Sequence, residues 1–425
     1  MIWDNKSMAH DGGQDSHFLE QPAARAGRIK HSVDADGLME RALRRARRRA
    51  FSDCSFLEPL RRLLQACEEE AYLSAFGRYA LKLDITRSLT NLLRFDAAED
   101  ENPNILDRSI ARPVFIMGLP RSGTTFLHTL LAQDNANAVP RAWQLMYPYP
   151  RRRRFLRADL RRAQVDFHLR LFRLMSPEVN ALHPLSADTP QECSDITAQV
   201  FQSLRFDATY RIPSYQRWIA THDHAAAYRF HRRFLKHLDA QAPGRRWVLK
   251  CPDHVFALDA IRRIYPDADF VFVHRDPASV LASVVKLNEV LRRPFARVVD
   301  RKEIGEQVGD YWTDGASRMV AAASGDAGDI LHLHYKDIVS APMTAVSQLY
   351  ERCGLELTPD ARARMRTWLA RMPRSEGGQN RYRLADFGLD AEMLRVRFAR
   401  YMEAFGVQPE LRAEERYPLQ ASHAL

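Results

Sequence analysis

The 425-residue sequence predicts an α/β fold of three layers, a parallel sheet flanked by helices, with an N-terminal helical layer and a helical insertion. Three observations predict it. Four short runs after Arg112 are apolar without alternation, as strands buried on both faces are: VFIMG (114–118), RRWVLK (245–250), DFVFVHR (269–275) and DILHLHY (329–335). Each run is closed by turn or polar residues and followed by helical periodicity. Before them, between Asp34 and Phe95, leucines recur three and four apart with Arg and Glu between, the pattern of helices with one buried face.

Taken in order, residues 1–33 are polar and aperiodic and are expected to be loosely ordered. Residues 34–110 read as the helical layer, 111–357 as the α/β core and 358–425 as a closing segment of the same domain. That segment reads as a helix, the loop MPRSEGGQNRYRLADFGLD and a last helix. The insertion, 152–241, separates the first two strands. Its aromatics recur at helical spacing and are read mainly as core, with the region of Trp143, Tyr215 and Trp218 a candidate lining for an acceptor cleft.

Composition narrows the function. With 46% hydrophobic and 27% charged residues the chain reads as globular. It lacks the roughly 18 consecutive apolar residues of a membrane span, and its N-terminus lacks the order of a secretory signal. A soluble, cytoplasmic protein is expected. The five scattered cysteines (Cys54, Cys67, Cys193, Cys251, Cys353) lack zinc-site spacing and read as reduced thiols, so no metal site is expected. The formal charge of +10 makes anionic ligands or surfaces plausible partners. The arginine-rich run PRRRRFLRADLRRAQ (150–164) reads as a solvated helix face or as a contact for anionic lipid or acidic glycan.

The most informative stretch is VFIMGLPRSGTTFLHTLL, residues 114–131. Gly118 and Gly123 bracket a turn between a strand and an amphipathic helix, so backbone N–H groups and the helix N-terminus converge on one point, which suits an anion. This makes the core P-loop-type. Loops that grip nucleoside triphosphates carry a lysine where this chain has Thr124. The cation within the loop is Arg121, and no strand ends convincingly in a metal-binding Asp. Kinase or NTPase chemistry is disfavoured on that ground.

Residues of this kind resemble sulfotransferases that use 3′-phosphoadenosine-5′-phosphosulfate (PAPS). PRSGTTFL is similar to their 5′-phosphosulfate loop, here Pro120, Arg121, Ser122, Gly123, Thr124, Thr125 and Phe126. VFVHRDPASVLASVVKL is similar to their 3′-phosphate segment, in which an arginine and a serine eight residues later bind the ribose phosphate, here Arg275 and Ser283. WVLKCPDH, LHYKDIVSAP and RYRLADFGL also look like the family's bacterial-type members. The resemblance implies a transferase (EC 2.8.2.-) with PAPS as donor, no metal requirement and Arg121 facing the leaving phosphate. Tyr335 either sits beside the adenine or ends its strand. Arg381 or Arg383 is expected to close over the cofactor or to belong to a surface loop.

An acceptor hydroxyl also needs a base. Lys250 and His254 follow a strand much as a lysine and a catalytic histidine do in cytosolic-type relatives, though at wider spacing. An imidazole with a pKa near 6.5 suits that work. Glu192, in HPLSADTPQECSDI, is the rival base, and His183 and Asp188 share its segment. The expected order is His254, then Glu192. The expected reaction is transfer of a sulfuryl group to a hydroxyl, or less readily an amine, of a small molecule, lipid or saccharide. The alternatives are an atypical P-loop kinase or NTPase and a basic nucleic-acid or membrane-surface binder. Nucleic acid is not expected as a partner, while peripheral membrane contact and self-association stay open.

Overall fold

The computed structural model describes residues 33–150, 159–182, 185–325, 328–372 and 383–410. Five parallel strands form one sheet in the order β2-β3-β1-β4-β5, with β1 Val114–Gly118, β2 Asn137–Ala138, β3 Arg246–Lys250, β4 Asp269–His274 and β5 Ile330–His334. The four apolar runs are four of these strands. The fifth, β2, has two residues and extends the sheet beside β3.

The strands lack polar alternation because both faces are covered. Phe115, Met117, Leu249, Phe270 and Phe272 point into one core. Their neighbours Val114, Ile116, Val248, Val271 and Val273 point into a second. The second core is closed by α4 (Thr124–Leu131) and the helices Pro342–Arg352 and Pro359–Arg371. The first is closed by Pro277–Arg292, Arg301–Gly325 and Ala225–Gln241.

That first core also takes the N-terminal helices, α1 (Ala35–Ala46), α2 (Leu57–Glu69) and α3 (Ala75–Glu101). Asp34 caps α1 through Gly37 N at 3.2 Å, and Ser74 caps α3 through Gly77 N at 2.9 Å. Between α4 and β3 the described residues form α5 (Ala142–Met146), α6 (Arg161–Met175) and five further α-helices, of which Ala225–Gln241 is the longest. The expected last helix is two short ones, Ala391–Arg397 and Ala399–Ala404, broken at Phe398.

The expectations for residues 1–32, His183, Arg381 and positions 151–158 of the arginine-rich run lie outside the described residues. Among the described ones, no helix is long and apolar enough to cross a membrane, and no group of three or more His, Cys, Asp or Glu could hold a metal ion. The five cysteines are free thiols, four of them buried.

Candidate active site

Because all five strands run the same way, their carboxyl ends share one edge, where ligands of open α/β sheets collect. Register fixes what meets there. Gly118, the last residue of β1, pairs with Val273 of β4, so Arg275 emerges beside the start of the loop. Ile116 pairs with Lys250 at the end of β3, and His274 with His334 at the end of β5, just before Tyr335. The approach of β1 to β4 is close enough that a Cβ on Gly118 would lie 2.3 Å from Val273 O.

The loop itself is bent. Gly123 has φ 94° and Arg121 φ 62°, a left-handed conformation that costs a non-glycine residue roughly 1–2 kcal/mol. Two bonds hold Arg121 there. Arg275 Nη1 donates to its carbonyl at 2.8 Å, and its own Nε donates to Ser283 Oγ at 3.1 Å. The residues matched to the two phosphate segments are therefore in direct contact.

Tyr335 fastens the same corner. The Arg275 guanidinium lies 3.8 Å from its ring centroid, and a Cβ on Gly123 would come within 2.9 Å of the ring. Among the described residues, the first turn of α4 has no side-chain cap, and the buried Ser122 hydroxyl has no hydrogen-bond partner. An uncapped helix start, an orphan hydroxyl and nearby guanidiniums form a donor set suited to a phosphate.

Lys250 completes the edge. Its ammonium is 1% exposed and donates to Glu192 Oε1 at 2.5 Å and to Thr125 Oγ1 at 3.0 Å. Glu192, with 31% of its side chain exposed, reaches solvent. A backbone bond from Cys193 N to Lys250 O at 3.0 Å pins the insertion segment that carries Glu192 to the end of β3.

His254 lies elsewhere. Its ring is fully buried, pairs with the Tyr228 hydroxyl through Nδ1 at 2.6 Å and stands edge-on to Phe115. Burial first, then the nearby His231 and Lys250 charges, hold it neutral, its pKa well below the usual histidine range. A base must touch the acceptor, and this imidazole, expected to be the first candidate for that work, is enclosed by the core, whereas Glu192 reaches solvent.

The remaining candidates are dispersed. Phe126 packs on Trp368. Arg383 is exposed at the start of the short helix Leu384–Phe387, with no hydrogen bond or ion pair to the loop among the described residues. Asp188 pairs with Arg162 at the surface. Tyr215 is core, its hydroxyl donating to Phe201 O, and Trp143 is covered by the Arg161 and Arg162 guanidiniums.

Two residues had no signal strong enough to find them. Glu410 holds Arg275 from the far end of the chain. The Asp253 carboxyl is pushed up to about 7 by burial and then by the Glu192 charge; its position in WVLKCPDH marked the segment but not the residue.

The parallel sheet, its glycine-bounded loop and the arginine ending the neighbouring strand define a P-loop-type α/β protein. The sulfotransferase family pattern matches residues 113–360, and the chain belongs to that family of enzymes. It is similar to the crystal structure of sulfotransferase STF1 from Mycobacterium tuberculosis, 31% identical with TM-score 0.76, covering 87% of this chain and all of that one. Sulfotransferase STF9 from Mycobacterium avium is 28% identical with TM-score 0.81, over 91% of this chain and all of that one. Among curated proteins, the omega-hydroxy-beta-dihydromenaquinone-9 sulfotransferase Stf3 of Mycobacterium bovis is 26% identical over 268 residues, 61% of this chain. The match spans 66% of that relative's length.

Proposed function

We propose that this chain moves the sulfuryl group of PAPS onto the hydroxyl of an apolar, lipid-like acceptor. The observation that carries the reading is the meeting, on one sheet edge, of Arg121, Arg275 and Ser283 with the Lys250–Glu192 pair. PAPS, when bound, supplies a sulfuryl group already activated on a 5′-phosphate. Arg275 and Ser283 would hold the 3′-phosphate, and Arg121, the Ser122 hydroxyl and the first turn of α4 the 5′ end. They contribute positioning and charge stabilisation, the two effects from which transfers of this type draw most of their rate.

Glu192 takes the acceptor proton. It is the carboxylate that touches the buried lysine and still reaches solvent. As it becomes neutral its hold on Lys250 weakens, and the ammonium is left to donate toward the charge that develops at the leaving oxygen.

The acceptor class is supported by a cavity of about 1260 Å³ between α3, α6 and the end of Pro277–Arg292. Its walls include Phe76, Leu83, Leu169, Phe172 and Phe295. Its polar floor contains Arg205, which bridges Asp84 at 2.7 Å and Asp195 at 2.9 Å, the latter three residues from Glu192. A long apolar tail fits such walls, and the name of the Mycobacterium bovis relative specifies a hydroxylated menaquinone.

The test is incubation of the full chain with PAPS and a series of hydroxylated acceptors, long-chain and isoprenoid alcohols beside phenols and sugars, read by mass. A sulfated long-chain product supports the reading. Sulfation confined to sugars or phenols would overturn the acceptor class. Thermal stabilisation by ATP-Mg but not by 3′-phosphoadenosine-5′-phosphate would overturn the donor.

A further inference from the structure

The guanidinium of Arg275 meets a carboxylate of its own chain. Nε donates to Glu410 Oε1 and Nη2 to Glu410 Oε2, both at 2.9 Å, a two-pronged pair on one edge of the fork. Nη1 is committed to Arg121 O, and one face of the guanidinium lies on Tyr335. The edge given to Glu410 is the one by which arginine grips a phosphate with two parallel hydrogen bonds.

Glu410 is delivered there by packing. The helix Ala399–Ala404 docks on the strand ends through Tyr401, whose hydroxyl lies 3.1 Å from His274 Nδ1. Phe405 stacks on His274 with centroids 4.1 Å apart and on His332 at 5.2 Å. From that anchor the chain runs to Glu410, whose backbone N–H donates to Asp276 Oδ2 at 3.1 Å. Asp276 also caps the next helix through Ala278 N and accepts from the Ser279 hydroxyl. The seat of Glu410 is thus fixed at both backbone and side chain. Its carboxylate is 22% exposed and the guanidinium 21%, so the pair sits at the lip of the site, where exchange with a ligand needs no core opening.

We propose that Glu410 is a built-in competitor for the nucleotide: its carboxylate occupies the phosphate-gripping edge of Arg275 and swings away when a 3′-phosphate binds. This rests on the reading of Arg275 as the 3′-phosphate ligand. The C-terminal segment thereby sets the affinity for donor and spent product alike, and a nucleotide without a 3′-phosphate does not drive the exchange. Loss of the carboxylate raises the fraction of binding-competent protein, and apparent affinity rises in proportion.

The experiment is calorimetric titration of full-length wild type, Glu410→Gln and Arg275→Ala with 3′-phosphoadenosine-5′-phosphate and, in parallel, adenosine 5′-monophosphate. Glutamine keeps the shape but neither the charge nor the second acceptor. The expected result is binding of the bisphosphate roughly tenfold tighter in Glu410→Gln, unchanged binding of the monophosphate, and loss of the bisphosphate preference in Arg275→Ala. Amide exchange supplies a readout independent of substitution: the Glu410 amide should lose protection when the bisphosphate binds wild type. Weaker or unchanged binding in Glu410→Gln, or increased protection at Glu410, would overturn the proposal while leaving the assignment of Arg275 intact. An Arg275→Ala variant that binds the bisphosphate as well as wild type would overturn both.

Discussion

Replacing Glu192 by glutamine separates the roles given to it. The substitution keeps the side chain's size and one oxygen able to accept from Lys250 Nζ, now 2.5 Å from Oε1, but removes the base and the negative charge. Loss of a general base lowers turnover by roughly 10²–10⁴, about 3–5 kcal/mol of barrier. Folding should also suffer. Lys250 is 1% exposed and would retain Thr125 Oγ1 and a neutral amide oxygen as acceptors. Removing one partner of a fully buried pair costs about 3–5 kcal/mol. Because Glu192 is 31% exposed and water can approach it, about 1–3 kcal/mol is expected here. The assay is steady-state transfer to a long-chain alcohol at saturating PAPS, per folded molecule, with urea unfolding in parallel. Binding of 3′-phosphoadenosine-5′-phosphate should stay within about threefold of wild type, since Glu192 grips no phosphate. Turnover within about threefold of wild type would refute the assignment.

His254→Gln should behave oppositely: a stability loss of about 2–4 kcal/mol from the broken Tyr228 contact and disturbed packing, with near-normal turnover per folded molecule; a hundredfold drop would restore His254 to the chemistry. His128, buried against Val248 O, is held down at about 3, first by burial and then by Lys250. The unfolded chain therefore takes up a proton near pH 6.5 that the fold refuses, so stability present above that pH is lost as pH falls toward 3. His128→Gln should flatten urea stability between pH 6 and 4 by about 1.4 kcal/mol per pH unit, and an unchanged slope would contradict it. Gly123→Ala places a Cβ against Tyr335 at a positive φ and should weaken bisphosphate binding at least about tenfold, as read by calorimetry; wild-type affinity would show the loop more tolerant than its geometry. Leu83→Trp at the cavity rim should raise KM for long-chain acceptors several-fold and leave short ones unaffected, and equal effects on both would separate the cavity from the acceptor.

Much of the fold was legible because both faces of its sheet are buried. Val114 to Gly118 could be read as a strand because alternate residues serve two different cores, and that leaves an unbroken apolar run. Asn137–Ala138 has no such run and joins the sheet through its neighbours' register alone. In the site, the spacing from Arg275 to Ser283 is local and readable, whereas the fate of His254 is not. Tyr228, which bonds it, comes from a helix of the insertion and Phe115, which faces it, from β1, and burial of that kind is a tertiary event. The Lys250–Glu192 contact spans 58 positions and the Arg275–Glu410 contact 135, distances over which composition and periodicity are silent.

The hydrogen bond from Arg275 to the carbonyl of Arg121 has a consequence for inhibition. On the proposed reading of the site, it makes the two ends of the nucleotide pocket a single mechanical unit, because the backbone conformation that shapes one end is held by the side chain assigned to the other. Occupants of the two ends therefore share a coupling free energy, and each must alter the other's affinity by the same factor. Fragments that fill one end will look weak when screened alone and stronger in pairs, and a linked compound should exceed the product of its halves. Adenosine mimics lacking either phosphate forfeit the coupling along with the contact, which makes bisphosphates the natural starting point for ligands of this protein.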